Sequence, residues 1–214
     1  MLAAAAWIAL LAGLGMRGPQ LGAHHEPLDG MAAWALMVIA MMLPVTLPAV
    51  RYVALNSMRR RLRRAVVLYT AVYVGFWMLF GLGAIGLYHV LSDHLRLGQE
   101  LLLASALALA SAWQLTRAKR RALYACGRTV PLPPSGRRAD AGCARFALLH
   151  AWRCIRSCWA IMLVMVVVGH SSIAWMIALT ALVVSEELTV RGRRLTRPAA
   201  GVLAAAAAVV ALGA

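Results

Sequence analysis

Residues 31–50 read MAAWALMVIAMMLPVTLPAV, a stretch without a single charge. A helix needs about 20 apolar residues to cross the hydrocarbon core of a bilayer, and a backbone in that setting must satisfy its own hydrogen bonds. Similar runs recur along the chain between arginine-rich breaks. They place membrane helices at about 2–16, 31–51, 65–91, 98–116, 149–169, 171–188 and 198–214. The expectation is an all-α protein, a polytopic transmembrane helix bundle with six or seven membrane helices, forming a single integral membrane domain over 1–214. The run at 2–16 is short and lacks a basic flank, and Leu21, Gly22 and Ala23 weakly resemble a cleavage site. A cleaved signal peptide is therefore the alternative to an uncleaved first helix. The composition agrees with the class: 63% of residues are hydrophobic, where soluble domains have roughly half.

A net charge of +15 would suggest nucleic acid in a soluble protein. Its distribution suggests topology instead. Arg51, Arg59, Arg60, Arg61, Arg63 and Arg64 follow the 31–51 run, a basic segment from Arg117 to Arg145 follows the 98–116 run, and Arg191, Arg193, Arg194 and Arg197 follow 171–188. The intervening loops hold only Arg17 and Arg96. By the positive-inside rule the three basic loops are cytoplasmic, the N-terminus is inside and, with seven helices, the C-terminus is outside. The lipid bilayer, with its anionic headgroups, is then the partner of the basic loops, and no nucleic acid is expected.

Soft and borderline metal ligands are spread over this frame. Met37, Met41 and Met42 recur at helical spacing in the 31–51 run, so their thioethers share one side of a helix; methionine also fills gaps in apolar cores. His150, Cys154, Cys158 and Met162 recur in steps of four, each about 6 Å further along a helix axis, a ladder of ligands leading inward from the cytoplasmic surface. Cys126, in the preceding basic loop, can join it. Cys126, Cys143 and Cys154 all fall on the reducing side, so disulfides are not expected. On the outer side His24, His25, Glu26 and Asp29 share one loop, His89 and Asp93 form an i, i+4 pair, and His170 ends a helix. Imidazole with carboxylate suits zinc, copper or nickel. Glu186, near the inner end of an apolar helix, must pair or face a wet cavity; Arg117, Lys119 and Arg153 are its candidate partners, and Glu187 is expected to meet the cytoplasmic arginines. The chain carries no nucleophile with an adjacent base, no glycine-rich phosphate loop and no paired hydrolytic carboxylates.

WALMVIAMMLP from Trp34, YVGFW at residues 73–77, WQLTRAKRRAL at 113–123, and CWAIM, GHSSIAWM and EEL between 158 and 188 together resemble a bacterial family described as predicted metal-binding integral membrane proteins, a domain of unknown function. Its pattern is similar to W-x-x-M-x-x-x-M-M-x-P, then Y-Q-L-T-x-x-K before a basic cysteine-bearing loop, then C-x-x-C-C-W-x-x-M, G-x-M-N-x-x-W-M and E-K. Trp34, Met37, Met41, Met42, Pro44, Gln114, Lys119, Cys126, Cys154, Cys158, Trp159, Met162, Gly169, Trp175, Met176 and Glu186 stand at matching places, in a core spanning about 31–192. Ala122 and Ser157 stand where the family usually has cysteine, and Ser171 and Ser172 replace its Met-Asn pair. The outer loop, often methionine-rich in such proteins, here offers His24, His25 and Glu26.

The resemblance implies a protein of the bacterial cytoplasmic (inner) membrane that binds a transition metal ion, with copper favoured and zinc the alternative. The expected ligands are Met37, Met41, Met42, Cys154, Cys158, Met162, Glu186, His170, His24 and His25, with the 31–51, 149–169 and 171–188 helices packed together and Glu186 gating or orienting the site. The expected function is metal handling or transfer at the membrane, with another membrane or periplasmic protein as partner. Two other classes stay open: a non-catalytic accessory subunit of a membrane complex, and a metal-dependent membrane oxidoreductase. The orientation itself is testable with introduced cysteines and an impermeant thiol reagent on intact cells. Cysteines beside Arg61 or Arg137 should stay unlabelled and those beside Asp29 or Asp93 should label; the reverse pattern would overturn the topology.

Overall fold

The structure is a computed structural model, and it describes residues 27–133, 135–168, 173–189 and 192–213 together with Ile8. Every regular element among the described residues is helical: α1 (Pro27–Leu55), α2 (Leu62–His89), α3 (Gln99–Leu115), α4 (Arg117–Cys126), α5 (Gly136–Val168), α6 (Ile173–Leu188) and α7 (Gly192–Gly213). α2 runs on into one wider turn, Val90–His94.

The all-α class holds, and the expected number of membrane helices does not. Among the described residues four helices are long and apolar enough to cross a membrane, α1, α2 with its wider turn, α5 and α7, or five if α3 and α4 count as one broken span. Length decides the difference. At 1.5 Å per residue, the 16 residues of α6 extend about 24 Å, short of a hydrocarbon core of about 30 Å. The 2–16 run lies outside the described residues apart from Ile8.

α3 and α4 meet at a 73° bend. Thr116 between them is extended (ψ 149°), and its hydroxyl accepts from the Lys119 backbone N–H at 3.1 Å, capping α4. This side-chain cap satisfies one of the donors a helix start leaves free. The basic composition of 117–126 hides a helix that the sequence pattern presents as loop.

α5 is the central element: 67% of its apolar stretch is buried, against 28% for α2 and for α7. α2 lies against both α1 and α5, α3 packs on α5 and α7, α4 packs on α5, and α6 meets α1, α5 and α7. The 31–51 and 149–169 segments, expected to pack together with 171–188, are thus joined chiefly through α2 and α6. α3 and α7 carry small buried side chains, Ala104 and Ala110 on one and Ala200 and Ala207 on the other, of the kind that allows close approach, and Ser111 Oγ donates to the Ala200 carbonyl at 2.8 Å. Trp113 of α3 meets Trp159 of α5 edge to face, with centroids 5.1 Å apart. At the basic end, Asp140 at the start of α5 takes Arg61, just before α2, and Arg64 (2.8 Å). The starts of α2 and α5 therefore lie on one side.

α1 is locked to α2 by Trp34. Its indole N–H donates to the Trp77 carbonyl at 3.0 Å, and its ring lies flat over Gly81, where an added Cβ would come within 2.1 Å of Trp34 Nε1. Gly81→Ala must push α1 away from α2 and should destabilise the protein by about 1–3 kcal/mol, the usual cost of overpacking. Gly83→Ala, on the same helix with nothing within 4 Å, is the control. Thermal unfolding in detergent should show a lower midpoint for the first variant alone; equal midpoints would remove this contact from the account.

Candidate metal site

Successive turns of α5 present His150, Cys154 and Cys158 along one buried face, as the four-residue spacing requires. Opposite them stands Glu187, in the last turn of α6. The Sγ atoms of Cys154 and Cys158 and a Glu187 carboxylate oxygen all lie within 4.8 Å of one another. Cys158 Sγ is 3.2 Å from Glu187 Oε1, and Cys154 Sγ is 3.9 Å from it. Both cysteines are free thiols and buried, while Glu187 is half-buried. Among the described residues this is the one grouping of three or more histidine, cysteine or acidic side chains whose ligand atoms converge.

α2 supplies the wall behind the thiols. Tyr69, Tyr73 and Trp77, spaced by one turn, are all completely buried. The Tyr73 hydroxyl donates to Cys154 Sγ at 3.1 Å, which holds the sulfur in place. Tyr69, Tyr73 and Phe146 each meet the His150 ring edge to face, with centroids 5.7–6.1 Å apart. His150 is 6% exposed, and its Nε2 is buried without a hydrogen-bond partner. Buried polar atoms are ordinarily satisfied; the Tyr69 hydroxyl beside it is also without a partner. A cleft of about 190 Å³ opens beside it, lined by Cys126, Arg128, Phe146, His150 and Glu187 among others.

Glu186 belongs to a different cluster. Its Oε2 accepts from Lys119 Nζ at 2.7 Å and its Oε1 from Gln114 Nε2 at 2.7 Å. All three side chains are buried. The structure thus sends Glu186 to the lysine at the start of α4 and the glutamine at the end of α3, and sends its neighbour Glu187 to the thiols rather than to the arginines of the basic segments, where it was expected. Adjacent helical residues point about 100° apart, so the pairing of one sets the aim of the other.

Met37, Met41 and Met42 of α1 and Met162 of α5 are buried in the same apolar core, with Met162 one turn beyond Cys158. His24, His25 and His170 lie outside the described residues. His89 and Asp93 do meet, with Nδ1 to Oδ2 at 3.5 Å, but both are largely exposed. Glu187 and Tyr73 are the members that sequence reasoning passed over as ligand and support. The i+4 spacing of Tyr69, Tyr73 and Trp77 was the available signal for the tyrosine; nothing local distinguishes Glu187 from Glu186.

The donor set is two thiols and a carboxylate, buried, with an unsatisfied imidazole one turn away. Thiolate sulfur selects soft metals such as Cu(I), and also zinc. Residues 31–210 match a family model described as PpoB2, copper chaperone. The chain belongs to this copper chaperone family. The match opens where the expected core opens and continues through most of α7. No curated protein and no solved structure matches the chain.

The Lys119–Glu186 pair yields a test of what aims Glu187. Removing one partner of a buried ion pair strands the other, so Lys119→Met should cost about 3–5 kcal/mol, whereas replacing both with apolar residues is often near neutral. Lys119→Met with Glu186→Leu should therefore recover most of the loss. Chemical unfolding of the three chains in detergent measures this; a double variant as unstable as the single one would mean the pair is not an isolated unit.

Proposed function

We propose that this chain is a multi-pass membrane copper carrier that holds one Cu(I) ion, its cargo, between the Cys154 and Cys158 thiolates with Glu187 as third ligand. The convergence of these three ligand atoms within 4.8 Å, in a member of a copper chaperone family, carries the reading. Cu(I) is satisfied by two or three ligands of this kind. A structural zinc site would need a fourth to close its tetrahedron, which makes copper the better fit to the set. The family description favours handling of the ion over an oxidoreductase that turns over at it.

In this reading the four or five apolar helices lie in a bacterial cytoplasmic membrane. Exposed Val67, Leu79, Leu82 and Leu87 on α2 and Val202, Val209 and Leu212 on α7 provide the lipid-facing surface. The shorter α6 completes a sixth apolar element without spanning by itself. The site sits where α6 and α3 end, toward the arginine-rich segments, which the positive-inside rule assigns to the cytoplasm. Buried Met162, with Met37 and Met41 of α1, continues the soft ligands inward from the thiol pair. His24 and His25, with His170, are proposed as capture ligands on the opposite face, and a membrane or periplasmic acceptor as the partner.

The purified full chain, loaded anaerobically with Cu(I), should carry copper in proportion to protein by elemental analysis. Cys158→Ser keeps the size and removes the thiolate, so copper content should fall severalfold. Glu187→Gln should keep the stoichiometry and weaken the affinity measured against a competing chelator. Unchanged copper in Cys158→Ser would overturn the site.

A further inference from the structure

The thiol pair is sealed from solvent: Cys154 is fully buried and Cys158 is 1% exposed. Glu187 is the one member of the cluster that also lines the cleft. An ion held by the thiols therefore lies behind this carboxylate, and its nearest opening is the cleft. Two further metal-ligating side chains line that opening. Cys126, half-buried at the end of α4, offers a thiol. His150, buried, offers a ring nitrogen that has no hydrogen-bond partner. Three aromatic rings hold the imidazole by its edges and faces, and none of them can accept or donate a strong hydrogen bond to Nε2 from a carbon edge. Leaving such an atom unsatisfied costs roughly 1–3 kcal/mol; other buried polar atoms of this core, Tyr69 Oη and Ser157 Oγ among them, share that state, and His150 Nε2 is the one of them that lines the cleft and can ligate a soft metal.

We propose that this cleft is the port through which Cu(I) enters and leaves the Cys154–Cys158 pair, and that His150 is the ligand the ion passes through on the way. The inference rests on the copper site described above and extends it. His150 lies one turn before Cys154 on the same helix face, about 6 Å along the axis, and it lines the cleft together with Glu187, so it is the next ligand along the helix on the way out. On release the copper bonds to Cys158 Sγ and then Cys154 Sγ break as bonds to His150 Nε2 and then to the acceptor form, and each freed thiolate takes up one proton from the aqueous cleft. Loading runs the same exchange backwards. The ion stays Cu(I), so no oxidant or reductant takes part. Neutral imidazole binds Cu(I) more weakly than thiolate does, which suits a transit ligand, and Cys126 then offers a thiol nearer the mouth. The Tyr73 hydroxyl keeps Cys154 oriented while its sulfur is without metal.

The test measures transfer separately from holding. Full-length chain loaded with Cu(I) in detergent, without oxygen, is mixed with excess bathocuproine disulfonate, and release is followed by the absorbance of the chelator's copper complex. His150→Phe preserves the aromatic packing and removes the ligand. It should keep the parental copper content and release the ion about tenfold more slowly or worse, the rate change expected for a barrier raised by roughly 1.4 kcal/mol. His150→Met restores a soft uncharged ligand and should recover most of the rate. Release by His150→Phe at the parental rate would overturn the port, and so would equal slowing in both variants, which would mean that His150 acts by shape alone. These outcomes are separate from the fate of the holding site. Loss of copper in Cys158→Ser with unaltered release kinetics in His150→Phe leaves the site standing and removes the port, whereas a parent chain that takes up no copper removes both.

Discussion

The contact on which the arrangement turns is the buried triad of Lys119, Glu186 and Gln114. A lysine and a glutamate side chain each only 1% exposed would be prohibitive alone, because each loses its hydration. Together, at 2.7 Å and with Gln114 on the remaining carboxylate oxygen, they are compensated. The three residues come from three helices: the end of α3, the start of α4 and the end of α6. The bend at Thr116 is what allows this, since a straight continuation of α3 would carry Lys119 away from α6. With Glu186 bound, α6 cannot rotate about its axis, and Glu187 is fixed toward α5. α4, fixed at its first turn, delivers Cys126 at its last turn to the cleft.

α5 meets this frame with a single buried face that serves two purposes. Its upper turns pack as ordinary core, through Ile161, Met162 and Met165. Its middle turns carry His150, Cys154 and Cys158 at positions where apolar residues would have packed as well. The aromatic face of α2 makes this tolerable: Tyr73 gives Cys154 a hydrogen bond, and the rings around His150 surround it without satisfying it. Thiols are cheap to bury, being small and weakly polar. An unsatisfied imidazole is not; Tyr69 Oη and Ser157 Oγ share its state, and what sets His150 apart is its place beside an open cleft.

Much of this was legible in the sequence, and the limits have physical causes. The long apolar runs become α1, α2, α3, α5 and α7, because a segment of that length and composition has few alternatives to a helix. The four-residue ladder from His150 to Met162 becomes one face of α5 for the same reason. The number of spans was not legible, since hydropathy measures composition and does not fix how many consecutive residues a helix such as α6 takes up. α4 was missed because its buried residues are few and one of them is Lys119, so its charge pattern is that of a solvated segment. The choice between Glu186 and Glu187 depends on a lysine 67 residues away; no local pattern encodes it. The resemblance did mark Gln114, Lys119 and Glu186 as matching positions, and the structure shows that these three form one hydrogen-bonded unit rather than three separate sites.

That unit clarifies why two acidic residues stand side by side at the end of an apolar helix. A carrier of a soft ion has to bind it and also surrender it, and a cluster made only of sulfur would favour the first at the expense of the second. One carboxylate locked to a lysine holds the helix rigid. The other, half-buried beside a cleft, is a harder and more labile ligand than either thiol. In the proposed site, rigidity and lability are thus divided between adjacent side chains. Exchanging their roles would require α6 to turn by about 100°, which the Lys119 contact forbids. The ligand most able to let the ion go is consequently held in one orientation by the interaction least able to move.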